Sequence, residues 1–201
     1  MESTVMQASF ADGLDASETL TKASTESTDH HRLDIPVICG VGSLDEGLKM
    51  ITAGAVALRS LILLGLNKDA PGHNREDCQD IRSAMSTMAD IKSAIAAMAG
   101  KSEAERKACT DEKGYGIGLL NQTIKLGRFP VPFFADGGFI FPIDAAMARD
   151  VGYDGVIASV QLFRAANPEK RMRSMVLATT HYDKPDFLAK ITEDHGAVGA
   201  I

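Results

Sequence analysis

The chain has 201 residues, of which 45% are apolar and 24% are charged, and its 21 basic and 27 acidic residues give a net charge of −6. This length and composition predict one globular domain over residues 1–201, and the acidic balance disfavours nucleic acid or a membrane as partner. Three widely spaced cysteines exclude a disulfide framework and a cysteine-rich zinc site. The longest apolar run, residues 53–66, is too short to span a bilayer, and the acidic N-terminus differs from a targeting signal. We therefore expect a cytoplasmic protein.

Residues 1–33 are predicted to form one short strand and a polar loop. The strand covers Phe10–Leu14, and the Ser/Thr-rich stretch Thr19–Thr28 follows it in a loop that ends near Arg32. The remainder, residues 34–201, has the character of repeated strands and helices.

The first of these repeats starts with a β-branched strand, Asp34–Cys39, which ends at the turn Gly40–Gly42. Ser43 then has the character of a helix N-cap. Glu46 lies three residues later, which is the spacing of a capping box, so a short helix is predicted to follow.

The same pattern continues to the end of the chain. Further strands are predicted at Ala55–Leu58, Phe129–Phe134 and Gly155–Val160, and further helices at about Arg75–Met98, Ile117–Leu126, Pro142–Asp150, Pro168–Thr180 and Pro185–Asp194. The charged, glycine-containing stretch 100–116 is predicted to be a surface connection with a helical turn. Strand, loop and helix in alternation predict a parallel α/β fold, and both a doubly wound sheet and a (β/α) barrel satisfy the pattern.

In parallel α/β folds the functional residues lie in loops at the carboxyl ends of strands. Gly137 and Gly138 follow a predicted strand and precede a predicted helix, where backbone N–H groups can approach a phosphate. The alternative is a tight turn that needs positive φ angles.

Two further loops carry candidate groups. Lys68 lies in a loop after a predicted strand, and its amine suits Schiff-base chemistry on a sugar carbonyl, although a solvated lysine is the simpler interpretation. Asp15 and Glu18 suit acid–base work, although solvent-facing loop charges or caps are the simpler interpretation. The five histidines are expected to be structural or exposed, so no metal is predicted.

Together these motifs resemble one known family. The shared segments, in order, are residues 37–40, 46–48, 53–55, Arg59, 70–74, 134–138, 142–146, 154–156, Asn167-Pro168 with Lys170-Arg171, and the run Ala178-Thr-Thr-His-Tyr-Asp183. They resemble the synthase subunit of pyridoxal 5'-phosphate synthase, the PdxS/SNZ family, from about Asp15 to Gly196.

The resemblance implies a (β/α)8 barrel that makes pyridoxal 5'-phosphate from a pentose phosphate, a triose phosphate and ammonia through lysine imines. Ribose 5-phosphate and glyceraldehyde 3-phosphate are the implied substrates, and a glutaminase subunit is the implied ammonia source. The implied assembly is an oligomer of synthase subunits. It implies no metal and no organic cofactor.

Carried over by position, the resemblance implies that Asp15 and Lys68 are catalytic and that Gly72, Gly137, Gly138 and Ser159 hold phosphate. The chain departs from the family pattern at Ser159-Val160-Gln161, where the family has Gly-Ser-Gly, and it lacks counterparts of the family's first three strands. A truncated barrel of about five βα units is therefore expected.

Two hypotheses on function follow from this comparison. In the first, the chain is a synthase subunit by descent. In the second, it is an inactive relative or fragment that packs against intact synthase subunits. A different sugar-phosphate barrel, such as an aldolase, is the third alternative.

Overall fold

The computed structural model describes residues 14–15, 36–60, 81–158, 160–163 and 165–194. The strands within these ranges are β1 (Leu14–Asp15), β2 (Val37–Val41), β3 (Ala57–Ser60), β4 (Phe133–Ala135) and β5 (Gly155–Val156). The helices are α1 (Leu44–Thr52), α2 (Ile81–Ala99), α3 (Glu103–Lys113), α4 (Ile117–Leu126), α5 (Pro142–Asp150), α6 (Val160–Phe163), α7 (Pro168–Thr180) and α8 (Pro185–Asp194). None of the helices in these ranges is both long and apolar enough to cross a membrane.

The five strands form one sheet in which they are neighbours in chain order. The pairs β1/β2, β2/β3 and β4/β5 are parallel, with Asp15 beside Ile38, Val41 beside Ser60 and Ala135 beside Val156. A doubly wound sheet reverses its strand order at a switch point, whereas a (β/α) barrel keeps chain order. The structure therefore confirms the parallel α/β class and favours the barrel order of the two arrangements that the sequence left open.

The chain divides into two compact units, and the divisions fall after residue 61, within α2 and within β4. Compact unit 1 comprises residues 1–61 and 89–133, and compact unit 2 comprises residues 62–88 and 134–201. The single domain over residues 1–201, with a first part at 1–33 and the remainder at 34–201, stays a prediction.

The core of compact unit 1 is built on β2, β3 and α1. Val37, Cys39 and Val41 alternate inward along β2, as expected for a strand with one face on the core. The Leu58 N–H donates to the Pro132 carbonyl oxygen at 2.8 Å, which ties β3 to the residues just before β4.

In compact unit 2, α5 packs against α7 and α8. Tyr153 and Phe139 are fully buried there. The Tyr153 hydroxyl donates to the Ala84 carbonyl oxygen at 2.6 Å and so joins the start of α2 to the segment before β5. A buried hydroxyl needs such a partner, and this one also fixes the packing of α2.

Four helices begin and end where the sequence predicts, namely α4, α5, α7 and α8. Proline in the first turn starts three of them, and Gly127 ends α4 at a φ of 67°, which glycine adopts without strain. Helix α2 ends one residue beyond the predicted Met98, and the predicted start at Arg75 lies outside the described residues.

The stretch 100–116, predicted to be a surface connection with a helical turn, contains the longer, 11-residue helix α3, so the prediction underestimates its helical extent. Ser102 caps its first turn in a capping box with Glu105, and Gly114 ends it at a φ of 80°. The helix has a mostly charged, exposed surface, so the apolar periodicity that reveals other helices is weak in it.

The observed strand boundaries differ from the predicted ones. Strand β2 extends through the predicted turn to Val41, β3 begins at Ala57 rather than Ala55, and β4 begins only after the prolines of the predicted strand Phe129–Phe134. Strand β5 ends at Val156, and Val160 instead starts α6. The strand predicted at Phe10–Leu14 matches β1 at Leu14, and the rest of it lies outside the described residues.

Candidate functional site

Gly137 and Gly138 form a turn at the carboxyl end of β4, as the sequence predicts. Their φ angles are 136° and 61°, both in the region that L side chains rarely adopt. The backbone conformation of the turn is therefore a sufficient reason for glycine at both positions, without a ligand. Both residues are buried.

The helix after this turn already has a carboxylate at its N-terminus. Pro142 occupies the first turn of α5 and has no N–H, and Asp144 accepts a hydrogen bond from the Phe141 N–H at 3.0 Å. A negative side chain at this end of the helix makes the favourable interaction with the helix dipole that a bound anion would otherwise make. The N-terminus of α5 therefore already has a negative partner within the chain.

Asp15 is the last residue of β1 and pairs with Ile38, three residues before β2 ends at Val41. The other predicted site residues, Lys68, Gly72 and Ser159, lie outside the described residues, as does Glu18. Their roles stay predictions, as do those of Asp15 and the glycine pair.

The loop between β2 and α1 is held by its own polar side chains. Ser43 is the N-cap of α1, as predicted, and its hydroxyl accepts a hydrogen bond from the Glu46 N–H at 3.3 Å. The predicted capping box pairs the Glu46 carboxylate with the N–H of Ser43. In the structure this carboxylate accepts a hydrogen bond from the N–H of Gly42, the residue before Ser43, at 2.9 Å. These bonds fix a loop that lies at the carboxyl end of β2.

A polar cluster joins the first turn of α1 to the end of α3. The Asp45 carboxylate accepts a hydrogen bond from the Tyr115 hydroxyl at 2.6 Å, and its other oxygen forms a short ion pair with the Lys113 ammonium. We call Asp45, Lys113 and Tyr115 the Asp45 cluster. The partners are 68 and 70 residues from Asp45, so no local sequence signal indicates it.

Each member of the Asp45 cluster has a shifted pKa. Partial burial works to raise the pKa of Asp45, but the hydrogen bonds from Lys113 and Tyr115 outweigh it and leave that pKa below its ordinary value. The hydrogen bond to Asp45 raises the pKa of Lys113, and burial together with the bond to Asp45 raises the pKa of Tyr115. Lys113 is therefore protonated at neutral pH and is unsuited to act as a nucleophile.

Two buried polar residues, Arg59 and Ser60, end β3 beside Gly40 and Val41 of β2. No group of three or more metal-ligating side chains occurs in the described parts of the chain.

A parallel sheet whose strands follow chain order, with helices between them, is the architecture of (β/α)-barrel-type proteins. Residues 1–136 match the family described as the SOR/SNZ family. The chain belongs to the SOR/SNZ family.

Curated relatives agree with this assignment. The chain is 35% identical over 198 residues to the pyridoxal 5'-phosphate synthase subunit SNZERR of Suberites domuncula. This match covers 97% of the chain and 60% of the relative. It is 35% identical over 199 residues to subunit PdxS of Dictyoglomus turgidum, covering 98% of this chain and 63% of the relative. The chain thus spans about three fifths of the length of these relatives.

Among solved structures, the chain is similar to an IMP dehydrogenase/GMP reductase-like protein from Corynebacterium glutamicum. The TM-score is 0.45 and the sequence identity is 24%, over 82% of this chain and 37% of the other.

Proposed function

We propose that this chain is part of a synthase subunit of pyridoxal 5'-phosphate synthase, a lyase-type enzyme of vitamin B6 biosynthesis. Its reaction condenses a pentose phosphate, a triose phosphate and ammonia. Membership of the SOR/SNZ family and the names of the relatives from Suberites domuncula and Dictyoglomus turgidum support the proposal.

The observation that carries the proposal is the glycine turn at residues 137 and 138. Two successive glycines at positive φ, one residue after β4 ends, form a turn of the kind in which backbone N–H groups can meet a phosphate without Cβ atoms in the way. We assign this turn, with Gly72 and Ser159, to the phosphate of ribose 5-phosphate or glyceraldehyde 3-phosphate.

Lys68 is the proposed nucleophile. Its neutral amine adds to the sugar carbonyl and, with loss of water, forms an imine, while the Asp15 carboxylate takes up and returns protons. The described lysine at position 113 is a poor alternative, because its bond to Asp45 keeps it protonated.

The proposed partners follow from the same reaction. Ammonia comes from a glutaminase subunit, and the chain assembles with other synthase subunits in the cytoplasm. The proposed chemistry uses neither a metal nor an organic cofactor.

The test is direct synthesis by the purified chain. The chain is incubated with ribose 5-phosphate, glyceraldehyde 3-phosphate and ammonium chloride, and pyridoxal 5'-phosphate is measured by absorbance and mass. Borohydride trapping followed by peptide mapping is expected to place a sugar adduct on Lys68. Lys92→Met, at an exposed position of α2, is the matched control that keeps the adduct, whereas Lys68→Met loses it.

The result that contradicts the proposal is an absence of product and of adduct when the Dictyoglomus turgidum relative gives both under the same conditions. That result favours a second candidate function, an inactive relative that packs against intact synthase subunits. The segment Ser159-Val160-Gln161, where the family pattern has Gly-Ser-Gly, favours this candidate. It predicts co-purification with an intact synthase subunit without any gain in product.

A further inference from the structure

Helix α7 carries a buried charge that the proposed function does not use. Arg171 is the fourth residue of this helix, and only 6% of its surface is exposed. Ser174 and Met175, three and four residues further on, are also buried. Residues at this spacing share one face of a helix, so Arg171 belongs to the face of α7 that packs inward.

Within the described parts of the chain, the Arg171 guanidinium has no hydrogen bond or ion pair. The polar side chains one turn away have other partners. Asn167 Oδ1 accepts a hydrogen bond from the Lys170 N–H at 3.0 Å, and the Ser174 hydroxyl donates to the Lys170 carbonyl oxygen at 3.0 Å. Glu169 is exposed and lies two residues before Arg171, a spacing at which side chains on a helix do not face each other.

The helix that packs against this one does not supply a counter-ion either. On α5, which packs against α7, the carboxylate of the first turn belongs to Asp144, and it accepts a hydrogen bond from the Phe141 N–H. An arginine side chain stays positively charged throughout the ordinary pH range, so it cannot relieve its burial by losing a proton. Because a buried charge without a counter-ion is costly, Arg171 calls for an anion from outside the described residues.

The position of Arg171 is one where parallel α/β folds bind ligands. Helix α5 follows β4 and α7 follows β5, and these two strands are parallel. Both helices therefore begin at the end of the sheet where the strands end, which is the ligand-binding end of such folds.

The charges around Arg171 indicate what kind of anion fits. Residues 168–173 contain three cations, Lys170, Arg171 and Arg173, and one carboxylate, that of Glu169. This excess of positive charge suits a doubly negative group better than a single carboxylate. A guanidinium also matches the geometry of a phosphoryl group, to which it donates two parallel hydrogen bonds.

We propose that Arg171 is the guanidinium of an oxyanion-binding site at the first turn of α7, and that its ligand is a phosphorylated small molecule. Arg171 donates two hydrogen bonds to phosphoryl oxygens, and the exposed Lys170 adds positive charge at the entrance. This inference goes beyond the proposed function, because neither Lys68 nor the glycine turn takes part in it.

The test measures thermal unfolding of the whole 201-residue chain by far-UV circular dichroism, with inorganic phosphate as the probe. Sodium phosphate at about 10 mM is compared with sodium chloride and sodium acetate at the same ionic strength. Phosphate is expected to raise the melting temperature of the wild type by about 3 °C or more relative to either salt, because it binds only the folded chain.

Two substitutions on the same helix separate a specific site from general attraction by positive charge. Arg171→Met removes the charge but keeps an unbranched apolar side chain, and it is expected to abolish the effect of phosphate. Without phosphate this variant is expected to unfold at the wild-type temperature or above, since no unpaired charge stays buried. Arg173→Met is the matched control, because Arg173 is exposed, and it is expected to keep the effect of phosphate.

A spectroscopic readout keeps the test decisive if Arg171→Met folds poorly. The Nε–H signal of Arg171 in the nitrogen-15 spectrum of the wild type is assigned through its loss in Arg171→Lys. This signal is expected to shift as phosphate is added, with half-saturation below about 1 mM. An unchanged signal overturns the proposal.

Three further outcomes also overturn it. In the first, phosphate and chloride give the wild type the same melting temperature. In the second, Arg171→Met and Arg173→Met lose the effect of phosphate equally. In the third, Arg171→Met lowers the melting temperature and keeps the effect of phosphate, which assigns Arg171 to packing. If Gly138→Ala loses the effect and Arg171→Met keeps it, phosphate binds at the glycine turn, which supports the proposed function and overturns this inference alone.

Discussion

The contact between Gly47 and Phe129 gives a sharp test of the packing in compact unit 1. Gly47 lies within α1, and a Cβ atom built on it would come within 2.5 Å of the Phe129 Cε1 atom and still closer to Cζ. Phe129 cannot move aside freely, because it is 2% exposed and packs edge-on against Phe133 with 5.4 Å between ring centroids. The perturbation is Gly47→Ala, which adds one methyl group.

Two effects of opposite sign determine the result. Alanine in place of glycine within a helix stabilises it by about 1 kcal/mol when nothing obstructs the methyl group. Overpacking a filled core costs about 1–3 kcal/mol, and the distance to the Phe129 ring favours the upper half of that range. We therefore expect Gly47→Ala to lower the free energy of unfolding by about 1–2 kcal/mol.

Gly118→Ala is the matched control, because Gly118 lies in helix α4 and a Cβ atom there meets nothing within 4 Å. It is expected to raise the free energy of unfolding by up to about 1 kcal/mol. Urea unfolding followed by far-UV circular dichroism measures both, since the chain has no tryptophan. Adding a second substitution, Phe129→Leu, to Gly47→Ala is expected to remove part of the overpacking cost. Equal stability of Gly47→Ala and Gly118→Ala would refute the packing of α1 against Phe129.

Three further predictions concern individual polar groups. Tyr153→Phe leaves the Ala84 carbonyl without its hydroxyl partner and is expected to cost about 1–2 kcal/mol in urea unfolding, and an unchanged midpoint contradicts this. Because the pKa of Asp45 is depressed in the folded state, its contribution is present above its unfolded pKa of about 3.9 and is lost as pH falls through the folded value. The melting temperature of Asp45→Asn is therefore expected to fall less steeply than that of the wild type below about pH 4. Equal slopes for the two proteins argue against the cluster. Ser102→Ala removes the cap of α3 and is expected to cost about 1 kcal/mol, whereas Ser86→Ala on the exposed face of α2 costs less, and equal costs contradict the cap.

The helices that the sequence predicted to the residue share a local cause. Pro142, Pro168 and Pro185 fix the first turns of α5, α7 and α8, and Gly127 fixes the end of α4. Such signals act within a few residues, so they can be read directly from the chain. Strand ends have weaker local signals, and the register of β2 against β3 depends on partners elsewhere in the sequence.

The candidate site was predictable only in part for the same reason. The glycine pair was identifiable because two adjacent glycines after an apolar strand indicate a turn at positive φ. The Asp45 cluster was not identifiable, because Lys113 and Tyr115 meet Asp45 only after α3 packs near the first turn of α1. Of helix α3 the sequence indicates only a helical turn, since capping and charge rather than apolar periodicity define the helix.

Binding of ribose 5-phosphate to the glycine turn tests the central claim most directly. The dissociation constant is measured by calorimetry for the wild type, Gly138→Ala and the control Gly127→Ala, whose φ angles of 61° and 67° impose similar backbone strain on alanine. Because hydrogen bonds to a charged group contribute about 1.5–3 kcal/mol, Gly138→Ala is expected to weaken binding by about tenfold or more, while Gly127→Ala binds like the wild type. Equal affinity in all three proteins, or no binding to the wild type, contradicts a phosphate site at this turn.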